Sequence, residues 1–280
     1  MAKDYYIIGI DVGATKINTV LMNKKGKLIK KLKIKTKERR EEIVKQILDS
    51  INFVSLNKNK KKIIGIGIGL PGILNKKRTE ILNLPNLSGW GKTKLKDIIE
   101  RKTKKKVILE NDSNCMALGE NMFGYGKNVK NFVCLTIGTG IGGGIIINNK
   151  IYSGRSNAGE FGHITIDFNG YKCKCGARGC LEEYVSARGI DRIVKSGNKK
   201  TRKVYEIAGT YLGVGLAIIA KLLDPDLILI GGGISSVEDF ILKPAVKEMK
   251  KRTFFKACPV NTVKLKDNAG AIGAACLFLR

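Results

Sequence analysis

The chain has 280 residues, 43% of them hydrophobic, and carries 52 Lys and Arg against 24 Asp and Glu, a formal charge of +28. That length and apolar content allow two lobes with separate cores and exclude a disordered chain. The charge raises nucleic acid, an anionic membrane or a polyanion as partners, but the excess is mostly Lys scattered over Lys24 to Lys37, Lys58 to Lys62 and Lys92 to Lys106. There is no aromatic-interleaved basic stripe, recognition-helix pattern or two-histidine finger spacing, so no specific nucleic acid is expected.

Tyr5 to Asp11, Ile17 to Met22 and Lys27 to Ile34 read as three consecutive strands, the last alternating Lys with Leu or Ile. A helical face follows at Ile43, Val44, Ile47, Leu48, Ile51 and Val54, behind acidic residues that suit a helix N-terminus. Ile63 to Leu70 alternates Ile with Gly, the pattern of a strand approached so closely on one face that it carries no side chain there, and Pro71-Gly72 ends it. The short strand Val107 to Leu109 leads into a small-residue helix, Cys115 to Asn121.

Phe132 to Ile137 is a further strand, Gly138 to Gly144 a glycine-rich turn and Gly144 to Asn148 a returning strand. A long helix from about Val204 to Leu223, a buried strand Leu227 to Ile230, the turn Gly231 to Gly233, a helix Val237 to Lys251, a strand Val263 to Leu265 and a small-residue helix from Asn268 complete the pattern. Each half opens with strand, phosphate-sized turn and strand, which suggests a duplicated α/β unit with a cleft between copies. The expected division is 1–110 and 111–267, with 268–280 packing back on the first lobe. The apolar stretch Val214 to Leu223 contains Lys221 and is too short to span a bilayer; with a strand starting at Tyr5, no membrane association and a cytoplasmic location are expected.

The chemistry concentrates in a few segments. His163, the single histidine, stands near Cys173, Cys175 and Cys180. Three thiolates and one imidazole suit a closed, tetrahedral, structural zinc ion. Glu160 and Glu182 flank that set, where a rigid knot can aim them at a substrate. Seven cysteines with no secretory segment disfavour disulfides, and Cys115, Cys134, Cys258 and Cys276 read as core.

Asp11, Gly13, Thr15 and Lys16 form a turn whose backbone N–H groups can approach a phosphate, with Asp11 placed to hold Mg2+ through water; Asp-x-Gly is equally an ordinary hairpin turn. Gly138, Thr139, Gly140 and Gly142 form the matching glycine turn, which lacks the Gly-Lys-Ser/Thr ending of a P-loop. Gly232 and Gly233 follow a buried strand and offer a wall for an adenosine, or a flexible strand-to-helix turn. In Glu110 to Asn114, acidic and amide groups at a strand end can bind hydroxyls and Asp112 can accept a proton; the same residues are favoured helix N-caps.

Together these segments resemble the ROK family of sugar kinases and regulators, within the actin-like and hexokinase-like ATPase fold. The resemblance covers essentially the whole chain. Its most specific part is Glu160-x-Gly-His163 followed by Cys173-x-Cys175-Gly176-x-x-Gly179-Cys180-x-Glu182. It implies zinc on His163, Cys173, Cys175 and Cys180. It places Asn111, Asp112, Glu160, His163 and Glu182 on sugar hydroxyls, with Gly72 and Asn86 near the same pocket. Asn86 to Trp90 looks like the family's sugar-side loop, with Ser88 where Pro is common, and Gly189 to Val204 looks shorter than usual.

What the resemblance implies is an ATP- and Mg2+-dependent hexokinase acting on the 6-hydroxyl of glucose, with Asp112 as base and a homodimer or homotetramer as assembly. Mannose, N-acetylglucosamine or N-acetylmannosamine would meet the same polar residues, and polyphosphate is an alternative donor for a lysine-rich surface. A sugar-responsive transcriptional regulator is the reading from another class. With the first phosphate turn already at Asp11, no helix-turn-helix module is expected before it.

Overall fold

Alternation of large and absent side chains sets the architecture. The computed structural model describes residues 5–84, 89–197, 201–233 and 238–279. In chain order the elements are β1 (Tyr6–Val12), β2 (Lys16–Asn23), β3 (Leu28–Lys35), α1 (Arg40–Ser55), β4 (Ile63–Leu70), β5 (Ile73–Leu74), β6 (Ile81–Asn83), α2 (Leu95–Thr103), β7 (Val107–Asn111) and α3 (Asp112–Phe123). There follow β8 (Phe132–Ile137), β9 (Ile141–Ile147), β10 (Lys150–Ile151), α4 (Glu182–Val185), α5 (Ala187–Lys195), α6 (Arg202–Leu223), β11 (Leu227–Gly232), α7 (Glu238–Arg252), β12 (Val260–Thr262) and α8 (Ala269–Cys276). The chain divides into two units, one of 1–128, 150–157 and 264–280, the other of 129–149 and 158–263.

In the first unit the sheet order is β3-β2-β1-β4-β7, with β1, β2 and β3 antiparallel and β4 and β7 parallel to β1. Ile8, Ile10 and Val12 of β1 and Ile66 and Ile68 of β4 face a core that includes Ile43, Ile47 and Ile51 of α1 and Leu95 and Ile99 of α2. The opposite face is nearly bare. A Cβ at Gly9 would overlap the Ala271 carbonyl, and one at Gly67 the Ala274 carbonyl, so α8 lies directly on the strands. Glycine is used here for close approach, and the Ala and Gly of α8 complete the fit.

Also in this unit, α3 packs on α8 through glycine: a Cβ at Gly119 would come within 2.7 Å of the Ala269 carbonyl. This contact groups α3 and the chain as far as Asn128 with the first unit, whereas the sequence places the division at 110/111. A helix that follows β7 without a linker and buries its small-residue face on α8 stays with β7.

In the second unit, β8 pairs antiparallel with β9 and parallel with β11, and β11 parallel with β12. Two strand expectations shift. The glycine-rich segment is a turn only over 138–140, because β9 begins at Ile141 and its Gly143 lets Phe161 and the Gly159 carbonyl sit against the strand. The last strand is Val260–Thr262, not Val263 to Leu265, since Ile228 to Ile230 pair with Val260 to Thr262.

Continuous over 22 residues, α6 is by length and composition long and apolar enough to cross a membrane, which the shorter stretch read from sequence was not. Its Leu212, Leu216 and Ile219 are buried with Leu135, Ile228, Ile230 and Ile241 in the core of this unit. Gly209 and Gly213 bring α7 close, each Cβ position lying 2.5 Å from a carbonyl of α7. Cys115, Cys134 and Cys276 are buried and Cys258 half-buried, all as free thiols.

Candidate active site

At the end of β1, Asp11 stands against α8, where a Cβ on Gly270 would lie 2.7 Å from its carboxyl carbon. Burial, reinforced by the Asp112 carboxylate, pushes the Asp11 carboxyl up to about 7, with Lys16 opposing and Asp267 adding to the rise. The turn that follows is closed by its own bonds. Gly13 N–H donates to the Lys16 carbonyl at 2.9 Å, Thr36 N–H donates to the Thr15 carbonyl at 3.1 Å, and the Thr36 hydroxyl donates to the Gly13 carbonyl at 2.7 Å. The Gly13 N–H is therefore engaged, contrary to the expectation of a phosphate-facing donor. Thr15 is exposed, and Lys16 Nζ lies 3.5 Å from Asp267.

The strand β7 passes straight into α3. Asn111 is the N-cap: its Oδ1 accepts from the Ser113 and Asn114 N–H groups at 2.9 and 3.2 Å, satisfying orphan donors of the first turn. Its amide nitrogen donates to the Gly72 carbonyl at 3.4 Å, and Gly72 has φ 108°, which favours glycine. Asp112 opens the helix, where the positive end of the helix dipole favours an ionised carboxylate. Its Oδ1 accepts from Ser113 N–H at 2.7 Å and from the Ser113 hydroxyl at 3.3 Å. Glu110, expected among hydroxyl-binding groups, is buried in an ion pair with Arg78, Nε to Oε2 2.9 Å.

In the second unit, the turn 138–140 and the glycines of β11 leave the same end of the sheet, since Gly231 and Gly232 pair with Thr136 and Ile137. Gly138 has open space where a side chain would stand, and Thr139 is exposed. Gly232, at φ 98°, lies so close to Ile137 that a Cβ would overlap its carbonyl, whereas Gly233 is clear of it by 4.0 Å. Gly142 N–H donates to the Thr136 hydroxyl at 3.2 Å.

Beneath the turn lies Glu182. Its Oε2 accepts from Ile141 N–H at 2.7 Å and presses on Gly140, where a Cβ would come within 2.5 Å. Its Oε1 takes a hydrogen bond from Arg188 Nη2 at 2.6 Å. The residue expected to face a sugar hydroxyl thus has both oxygens tied to protein donors, though each keeps further lone-pair capacity.

Glu160 is exposed and starts a 3-10 turn, Phe161–His163, in which its carbonyl accepts from His163 N–H at 3.0 Å. The side chains of His163, Cys173, Cys175 and Cys180 converge, their ligand atoms all within 4.8 Å of one another. Cys173 Sγ lies 3.7 Å from His163 Nδ1, and the Cys175 and Cys180 sulfurs are 3.6 Å apart. A zinc ion about 2.3 Å from each sulfur requires tetrahedral edges of about 3.8 Å, so the donor set fits the metal. Gly176 and Gly179, at φ 98° and 65°, let the loop turn back on itself. Burial raises the Cys173 and Cys180 thiols, while the Ala177 backbone lowers Cys175; a bound dication would draw all three to thiolates.

The ROK family model matches residues 7–280. A glucokinase of Streptomyces coelicolor is 33% identical over 96% of this chain and 96% of its own length. A xylose repressor of Bacillus subtilis is 33% identical over 99% of this chain and 78% of its own length. The crystal structure of a ROK family glucokinase from Streptomyces griseus, in complex with glucose and AMPPNP, superposes with a TM-score of 0.87 at 31% identity, over 97% of this chain and 98% of that one. The chain belongs to the ROK family. Its fold is the actin-like ATPase fold of the ROK glucokinase structures.

Within this ROK chain, the residues assigned to the sugar fall into local groups: Gly72 with Asn111 and Asp112 at the β7–α3 junction, and Glu160 with His163 on one 3-10 turn. Asn86 lies outside the described residues. Sequence reasoning missed Arg78, Arg188 and Arg192. Arg192 Nη1 pairs with the buried Glu183 at 2.7 Å and its guanidinium lies 4.5 Å from the Tyr171 ring centroid. The signal for the last two was available, because two adjacent acids and two arginines fall on consecutive short helices. Nothing local marks Arg78, whose partner is distant in sequence.

Proposed function

We propose that this chain is an ATP-dependent hexose kinase that transfers the γ-phosphoryl group to the 6-hydroxyl of glucose. The observation that carries the reading is the β7–α3 junction, where Asp112, held by Ser113, stands at a helix N-terminus beside the N-cap Asn111. The naming of full-length relatives as glucokinases supports it.

In this reading the acceptor hydroxyl attacks the γ-phosphorus, its proton passes to Asp112, and ADP leaves with the electrons of the broken P–O bond. Phosphoryl transfer asks mainly for alignment and charge neutralisation, and a hydroxyl that loses its proton late needs only a well-aimed carboxylate. The Asp11 carboxyl feels the charge of Asp112, with Lys16 opposing, and two such carboxyls would suit Mg2+. Magnesium would neutralise phosphate charge. Gly138, Thr139 and Gly140 would face the nucleotide phosphates, and Gly232 and Gly233 the nucleoside. His163 would hold zinc through Nδ1 and offer Nε2 to a sugar hydroxyl, alongside Glu160 and Asn111. Glu182 would use its remaining lone pairs on the sugar.

The likeness of 99% of this chain to 78% of a xylose repressor favours a second reading, a sugar-responsive regulator. Both are tested by ATP consumption with Mg2+ across hexoses and N-acetylhexosamines, with wild type and Asp112→Asn side by side. Turnover with one sugar, lost in the variant, supports the kinase and names its acceptor. Sugar binding by calorimetry without turnover, with either ATP or polyphosphate, supports the regulator.

A further inference from the structure

None of the motifs picks out Arg78, yet it reaches the catalytic junction through a single intermediate. It lies between β5 and β6 with a left-handed backbone, φ 53°. Its Nε stands 2.9 Å from Glu110 Oε2, the two side chains 19% and 7% exposed. Its Nη2 donates to the Ser153 hydroxyl at 2.9 Å. The other oxygen of Glu110 accepts from the Asn111 N–H at 2.8 Å and from Asn114 Nδ2 at 3.0 Å. Glu110 thus holds the chain one residue before Asp112 and two residues after it. The β5–β6 hairpin also begins directly after Gly72, whose carbonyl takes the Asn111 amide.

A buried ion pair contributes little net stability, because desolvating both charges offsets their attraction. What it supplies here is direction. A guanidinium presents its donors in a planar fork, and this one is fixed at both ends, on Glu110 and on Ser153. Removing Arg78 takes away the guanidinium that holds Glu110 Oε2, and with it a constraint on the direction in which Oε1 meets Asn111 and Asn114.

The structure assigns Arg78 as a positioning residue: acting through Glu110, it sets the angle at which Asp112 meets the acceptor hydroxyl. This assignment rests on the phosphoryl-transfer reading above. It predicts a far larger effect on turnover than on substrate binding, since neither Arg78 nor Glu110 is itself placed on sugar or nucleotide in the reading above and Asn111 keeps its side-chain cap bonds to Ser113 and Asn114.

The test uses Arg78→Met, Arg78→Lys and the double variant Arg78→Met/Glu110→Gln, with steady-state kinetics, thermal melting and amide exchange at residues 111–114. Arg78→Met is expected to lower kcat about 100-fold, the scale of a roughly 1 Å misplacement, with KM for sugar and ATP held within about threefold. Arg78→Lys, which keeps the charge but not the fork, is expected to recover part of kcat. The double variant removes both charges of the pair and should regain the melting temperature but not kcat. Recovery of both together, or kcat in Arg78→Met within about threefold of wild type, overturns the assignment. If the wild type phosphorylates no hexose, the kinase reading falls by itself. Amide exchange then decides: faster exchange at 111–114 in the double variant upholds the clamp, and unchanged exchange removes it.

Discussion

The β7–α3 junction and the Cys/His loop around His163 each present polar groups, and they are built by opposite means. At the junction, a strand in register with β4 runs into a capped helix, so Asn111 and Asp112 are placed by regular backbone structure. Between Tyr152 and Leu181 regular structure is limited to one 3-10 turn and two isolated bridges, Thr165 with Cys180 and Lys172 with Arg178. A segment with so few ladder bonds and small side chains needs a cross-link to hold a direction, and the four converging donors provide its site. One region is held by secondary structure; the other has little of it and carries the donor set for a metal cross-link.

The largest effect should come from breaking the cross-link. Chelation, or Cys180→Ser, is expected to release 161–181 to fast amide exchange and to abolish sugar binding, while β7 and α3 keep their protection. Structural zinc contributes roughly 10 kcal/mol or more in small sites, far beyond what this loop's backbone bonds can replace. Equal loss of protection in both regions would show that the junction depends on the metal too.

Asp112→Asn attacks the other side of the comparison. With Asp112 as the proposed base, the substitution should cost about 100- to 10,000-fold in kcat, with zinc content by metal analysis and sugar affinity by calorimetry close to wild type. A variant that lost zinc as well would mean that the two regions do not hold their groups independently.

Smaller effects are expected at the glycine turn, where two neighbouring residues differ in their surroundings. A Cβ on Gly140 meets the Glu182 carboxylate, which is itself held by Ile141 and Arg188, while one on Gly138 meets nothing within 4 Å. Gly140→Ala should therefore destabilise by about 1–3 kcal/mol, read from urea melting, and raise KM for ATP. Gly138→Ala should stay within about 0.5 kcal/mol. Equal costs would mean that backbone conformation, not Glu182, sets the need for glycine.

How much of this was legible depends on whether the determinant is local. The Ile-Gly alternation of β4 announced a bare strand face because the period of a strand is two residues, and α8 occupies that face. The convergence of His163 with Cys173, Cys175 and Cys180 was legible because ligand chemistry restricts residue type. The Asp11 turn was misread in part: glycine permits a phosphate to approach, but it does not say whether the N–H is already spent, and Gly13 N–H is bonded to Lys16. Glu182 was read for its motif position, while its partners Ile141 and Arg188 are set by tertiary contact. Arg78 had no local signal at all, since its role depends on Glu110 and Ser153, far away in sequence.

Asp11 gives the smallest and most conditional effect, and it tests whether the junction's carboxylates stand ready for a cation. A carboxyl raised from 3.8 to about 7 holds its proton more tightly in the folded chain than in the unfolded one. Its contribution to folding is therefore present in full below the ordinary value and is lost as pH rises through about 7. Asp11→Asn, which cannot ionise, should then be more stable than wild type at pH 8 by about 1–2 kcal/mol and no more stable at pH 4. Urea melting at the two pH values measures the difference. Magnesium should reverse the order at pH 8, because a dication near the carboxylate favours the ionised form that the asparagine lacks. Wild-type stabilisation by Mg2+ with the nucleotide should accordingly grow between pH 6 and 8, accompanied by proton release, and should be weak in the variant. A variant stabilised by Mg2+ as strongly as wild type would place the cation elsewhere and leave Asp11 as a half-buried acid whose charge the fold simply disfavours.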